Sequence, residues 1–142
     1  MTVDLARDIA EIQKLLAAYA FAIDARAFDR LDDIFTADAL IDYTATGGTA
    51  GDYPTIRSWL VQALAPFRQS QHLLGLPLIE IEGDRATART MLFNPMLQSA
   101  GDRLFFVGAS YLDDLVRTEC GWRICRRRQA DAWVHVPQAV KS

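Results

Sequence analysis

The stretch SQHLLGLPLIEIEGDRATA, Ser70 to Ala88, is where the chain changes character. Upstream of it, apolar residues return every three or four positions, the spacing of a helix that buries one face. From residue 72 onward the segments are strand-like, rich in aliphatic, β-branched and aromatic residues. They are HLLGLPLIEIEG, RATARTMLFNPML, DRLFFVGASYLDDLVR and GWRICRRRQADAWVHV, punctuated at Gly83-Asp84, Ala100-Gly101-Asp102 and Cys120-Gly121. Gly75-Leu76-Pro77, Pro95 and Gly108 are expected as bulge or kink sites that let long strands bend.

On the other side of Ser70 the chain reads as helices. Leu5, Ile9, Ile12, Leu16, Tyr19 and Ile23 form one stripe over about five turns, with Thr2 or Asp4 as the cap. A short helix, FDRLDDIF, follows, then a short strand, ALIDY. DYPTIRSWLVQAL reads as a third helix, with Asp52 as N-cap and Pro54 in its first turn. TATGGTAGDYP, Thr44 to Pro54, reads as a loop. Helices first and then an antiparallel meander predict an α+β fold, its N-terminal helices packed on a curved antiparallel sheet.

With 142 residues, one domain over 1–142 is expected. Half the residues are apolar and the net charge is −3, so a nucleic-acid surface is not expected. No segment reaches the roughly 18 apolar residues of a membrane span. MTVDLARDIAEIQ lacks the apolar run of a signal peptide. Cys120 and Cys125 form no metal-type cluster, and a reduced, cytoplasmic protein is expected. There is no HxH, no HExxH, no phosphate loop and no GxSxG, so neither metal nor cofactor is expected.

Asp24 closes the most hydrophobic helix, at the end where the helix dipole disfavours negative charge. From the residues alone it is either a solvated turn residue, a cap for the next helix, or a carboxylate facing a partner. His72 is one of two histidines; the other, His135, reads as peripheral. Asn94 shares an alternation face with Ala88, Thr90 and Leu92. In the cluster Arg126-Arg127-Arg128, strict alternation puts Arg126 and Arg128 with Trp122 and Ile124, and Arg127 with Arg123 and Cys125. Arg126 and Arg128 are therefore the expected substrate-side arginines, with a solvated strand as the alternative. Phe21, Ile23, Trp59, Phe67, Phe93, Phe106 and Trp133 are the candidates for an apolar pocket, Trp59 and Phe93 foremost. DRLFFVGASYL is apolar on both faces, which calls for a second covering surface and hence a homo-oligomer, dimer or trimer.

The order of elements, with LLAAYAFAIDARAFDRLDDIFTADALIDY, SQHLLGLPLIEIEGDRATA and GWRICRRR as signatures, resembles the SnoaL-like branch of the nuclear transport factor 2-like superfamily. The resemblance covers nearly the whole chain and implies a cone, its sheet curled around a pocket closed by helices. It also implies roles. Asp24 and His72 have the spacing of the Asp/His pair in dehydratases and a dehydrochlorinase of that branch, where histidine removes a proton and aspartate orients it. Tyr19 has the offset of an active-site tyrosine in one of those dehydratases. Leu76 stands where such relatives often carry Asn, which implies a drier pocket. The implied activity is a cofactor-free lyase or isomerase acting on a small apolar, cyclic, oxygenated substrate. The alternatives are a non-catalytic binding module and an accessory small subunit of a ring-hydroxylating dioxygenase.

Overall fold

The computed structural model describes residues 4–138. Helix α1 spans Leu5–Asp24, and Asp4 caps it by accepting the Arg7 N–H at 3.1 Å. Thr2, the other expected cap, lies outside the described residues. The FDRLDDIF segment forms a 3-10 helix over Phe28–Asp33 rather than an α-helix. It leads into strand β1, Phe35–Asp42. A 3-10 turn at Thr44–Thr46 and the short strand β2, Ala50–Asp52, precede helix α2, Tyr53–Leu64. Asp52 caps α2 by accepting the Thr55 N–H at 3.0 Å, and Pro54 sits in its first turn as the sequence predicts.

Six further strands follow: β3 (Phe67–Ser70), β4 (Leu73–Leu74), β5 (Leu78–Glu82), β6 (Arg85–Gln98), β7 (Leu104–Thr118) and β8 (Gly121–His135). Gly75-Leu76-Pro77 breaks the first expected strand into β4 and β5. The sheet runs β2-β1-β8-β7-β6-β3, with β4 and β5 also paired to β6. This is the expected α+β cone, few helices on one large curved sheet. One pairing departs from the antiparallel pattern: β1 lies parallel to β8. Strands from opposite ends of the chain meet there, which a reading of consecutive hairpins does not reveal.

The pleat sorts side chains into two faces. Ala86, Ala88, Thr90, Leu92, Asn94 and Met96 of β6 turn inward and are buried, as the alternation through Asn94 predicts. Val107, Tyr111 and Leu115 of β7 face the same core, joined by Ile12, Leu16, Tyr19 and Ile23 from the α1 stripe. The ladder passes Pro95 without a register shift. Near Gly108 the extra residue lies on β8, between Ala130 and Trp133, where Asp131 adopts φ 50°.

A second bulge decides the arginines. Asp114 pairs with Arg126 and Leu115 with Ile124, so Cys125 is the extra residue on β8. A bulge of one residue reverses the alternation beyond it. Trp122, Ile124 and Arg127 therefore point inward, while Arg126 and Arg128 are exposed on the outer face. The expectation for Arg126 and Arg128 is thus corrected: neither reaches the interior.

Candidate active site

Asp24 is the last residue of α1, and no basic residue occupies that turn. The chain offsets the resulting electrostatic cost with three hydrogen bonds. Asp24 Oδ1 accepts from Ser70 Oγ at 2.8 Å and lies 2.7 Å from His72 Nδ1. Asp24 Oδ2 accepts the His72 backbone N–H at 2.8 Å. Burial pushes the Asp24 carboxyl up, but the hydrogen bonds and charge of His72 outweigh it and hold the group below the usual carboxylate range. An ionised carboxylate only accepts, so the neutral imidazole must carry its proton on Nδ1. That leaves the Nε2 lone pair facing a cavity, on a side chain 7% exposed, where it accepts only a long 3.3 Å hydrogen bond from Asn94 Nδ2.

The cavity holds about 280 Å³, the size of a small ligand. His72 and Asn94 form one part of its wall; Trp59, Phe67, Phe105 and Val107 supply apolar surface. Asn94 Nδ2 stands 3.3 Å from His72 Nε2, and Asn94 Oδ1 is buried without a partner. The expected residues Tyr19, Ile23, Trp59, Phe67, His72 and Asn94 all line this space.

Four aromatic candidates do not. Phe21 is 76% exposed on the far side of α1. Phe93, one residue before inward-facing Asn94, must project from the other face by the pleat. It stacks there on Phe106, with Trp133 tilted against it, on the outside of the sheet. Phe93, Phe106 and Trp133 are thus removed from the pocket. Leu76 is 91% exposed between β4 and β5 and does not line the cavity, so it cannot set its dryness. His135 is exposed near the end of β8.

Four residues that the sequence reading missed complete the site's inner end. Tyr43, just after β1, places its hydroxyl 2.6 Å from that of Tyr19, and Tyr111 packs edge-on to Tyr19. Arg127 lies behind them, its guanidinium 4.2 Å from the Tyr19 ring centre and 3.9 Å from that of Tyr111. Asp113 holds it through two hydrogen bonds of 2.7 and 2.8 Å. Burial opposes the Arg127 charge, but the Asp113 carboxylate outweighs that and keeps the guanidinium firmly protonated. Burial also pushes the phenols of Tyr19, Tyr43 and Tyr111 up, so each stays protonated and can donate. Tyr43 and Tyr111 gave a signal in sequence only as apolar-strand tyrosines, and Arg127 was hidden by the bulge.

A larger groove of about 800 Å³ lies at the other end of α1, along Asp8, Glu11, Arg117 and Trp122. It is a charged surface, and three of its carboxylates, Asp8, Glu11 and Asp84, are already paired with arginine. Among the described residues that line it there is no histidine.

The profile of the SnoaL-like domain family matches residues 4–128. An uncharacterised protein of Mycobacterium tuberculosis is 52% identical over 122 residues, covering 84% of this chain and 82% of its own. A candidate scytalone dehydratase from Novosphingobium aromaticivorans superposes with a TM-score of 0.83 at 18% identity, over 98% of this chain and 95% of that one. Hexachlorocyclohexane dehydrochlorinase type 3 from Novosphingobium barchaimii gives 0.82 at 17% identity, over 99% and 97%. At those identities the two structures speak for the fold.

Proposed function

The chain belongs to the SnoaL-like domain family, and we propose that within it this protein is a dehydratase-like lyase or isomerase that uses His72 as its base. The observation that carries the reading is the 2.7 Å contact between Asp24 and His72 Nδ1, with Nε2 at the wall of a largely apolar cavity and held there only by a 3.3 Å hydrogen bond from Asn94. Such a base is suited to remove a proton from carbon next to a carbonyl. The electron pair moves into an enolate, whose oxygen would be met by a hydroxyl of the Tyr19–Tyr43 pair. Within that pair one phenol donates to the other, so one O–H remains free to point elsewhere. The imidazolium then returns its proton either to a departing β-hydroxyl, releasing water, or to another carbon, moving the double bond.

Among the described residues, no Lys, Arg, Asp or Glu side chain lines the cavity wall. An anionic substrate would be desolvated there without a partner, so the reading favours an uncharged ring compound with a carbonyl. Asn94 Oδ1, buried and unpaired beside His72, favours a substrate hydroxyl or N–H at that side. The test is a panel of small cyclic ketones and β-hydroxy ketones in D2O, followed by proton NMR. Deuterium uptake at the carbon beside the carbonyl, lost in His72→Gln, is the expected result. Ligands that bind, by thermal shift, yet show neither exchange nor elimination would leave a binding module instead.

The same reading keeps a homo-oligomer. Leu76, Leu78 and Met91 are exposed on or beside the outer face that carries the Phe93–Phe106 stack. Glu80 and Asp114 alternate there with Arg89, Arg126 and Arg128, a pattern a second copy could complement. Sedimentation velocity of the wild type and Met91→Lys checks it: a single monomeric species in both ends the idea.

A further inference from the structure

We infer that Arg26 and Ser70 are positioning residues of the Asp24–His72 pair, a relay that holds the carboxylate through the serine hydroxyl. This rests on the proposed role of His72 as a base. Helix α1 ends with Ala27 N–H bonded to Ala22 O at 2.9 Å and Arg26 N–H bonded to Ile23 O at 3.0 Å. These two bonds define a Schellman motif, whose left-handed residue is usually glycine. Here it is Arg26, with φ 57°. A side chain at that angle is strained, and such strain persists only where something else is gained.

What is gained is the reach of the guanidinium. Arg26 Nη1 donates to Ile23 O at 2.8 Å and to Ser70 Oγ at 2.7 Å, and Nη2 donates to Phe67 O at 3.1 Å. The arginine thereby ties the end of α1 to both ends of β3. Because its N–H fills a lone pair of Ser70 Oγ, the single hydroxyl proton must point the other way. It points at Asp24 Oδ1, 2.8 Å off, the same oxygen that faces His72 Nδ1. The hydroxyl is thus fixed as a donor, and the carboxylate cannot rotate away from the imidazole without breaking it. Arg26 also puts positive charge at a helix end that otherwise lacks it, beside the carboxylate that the dipole disfavours.

The test needs no substrate. In 15N-labelled wild type, long-range proton–nitrogen correlations are expected to show His72 locked with its proton on Nδ1, with a hydrogen-bonded downfield Nδ1–H resonance. Arg26→Gly relieves the backbone, so its melting temperature is expected to hold or rise, while the Nδ1–H resonance is lost to water exchange. Ser70→Ala is expected to lose the resonance too, without a change in fold. Arg26→Lys, which keeps the charge, should restore part of it. If Arg26→Gly and Ser70→Ala both keep the resonance while Asp24→Asn abolishes it, the relay is wrong and the dyad stands. If the wild type itself lacks the Nδ1–H form, the dyad reading falls and the relay with it.

Discussion

Helix α1 carries one buried or half-buried aspartate at each end, and the two are held in opposite ways. Asp8, in the first turn, sits where the helix dipole favours a carboxylate. Arg117 donates to both its oxygens, at 2.6 and 2.9 Å, and Trp122 Nε1 donates at 3.0 Å. These partners hold its carboxyl down at about 2. Asp24, in the last turn, sits where the dipole opposes it, and its main partner is an imidazole that can gain or lose a proton. A guanidinium never titrates in the physiological range, so Asp8 is fixed. The Asp24–His72 pair instead keeps a lone pair on Nε2 that only the Asn94 amide meets, at 3.3 Å. One helix thus supplies an anchor at one end and a poised base at the other.

The largest expected effect separates the two ends outright. His72→Gln or Asp24→Asn should lower turnover of an active substrate by roughly 10²–10⁴-fold. Asp8→Asn should leave turnover within a few-fold while lowering the melting temperature. If Asp8→Asn damages turnover as deeply, the contrast is false.

Next comes the pair buried behind the tyrosines. Arg127→Met strands Asp113 in the core and should cost about 3–5 kcal/mol in urea unfolding. Asp113→Leu together with Arg127→Met should recover most of that, because the pair then leaves no unpaired charge. Recovered stability without recovered turnover would place Arg127 with the working end of the molecule.

Gly48 tests the Asp24 end alone. A Cβ there would meet the Trp59 ring at 2.7 Å and Tyr43 O at 2.9 Å, both at the cavity wall. Gly48→Ala should cost about 1–3 kcal/mol. It should also weaken ligand binding by calorimetry, with the Asp8–Arg117 contacts untouched.

The smallest effect is in acid. Both aspartates have folded carboxyls below the ordinary value, so each stabilises the fold above the unfolded value near 4 and stops doing so as pH falls through its depressed one. The melting difference between wild type and Asp8→Asn should be full at pH 6 and shrink from about pH 4 toward pH 2. A difference that grows in acid would mean Asp8 is not the anchor.

The sequence made some of this legible and hid the rest for definite reasons. Asp4 and Asp52 were readable as caps because capping is local. The α1 stripe and the inward face of β6 followed from period alone. The Asp24–His72 contact joins residues 48 apart and came from resemblance, not spacing. Asn94 and Phe93 were both placed in the pocket, although neighbours on a strand cannot share a face. Arg127 failed for a subtler reason. Cys125 looks like any strand residue, and nothing in GWRICRRR says that the register slips there.

The parallel pairing of β1 with β8 has a consequence for how the chain is made. Phe35 aligns with Ile124 and Asp42 with Arg128, so β1 waits while β2 to β7 are made before its partner β8 arrives. Closing so long a loop has an entropic cost that local helices do not share, and it slows the step that completes the sheet. Until then, the edges of β1 and β7 that β8 will join stand open together, a sticky interval in the life of every nascent copy. A ribosome that stalls before Gly121 would release a chain with nothing to close them.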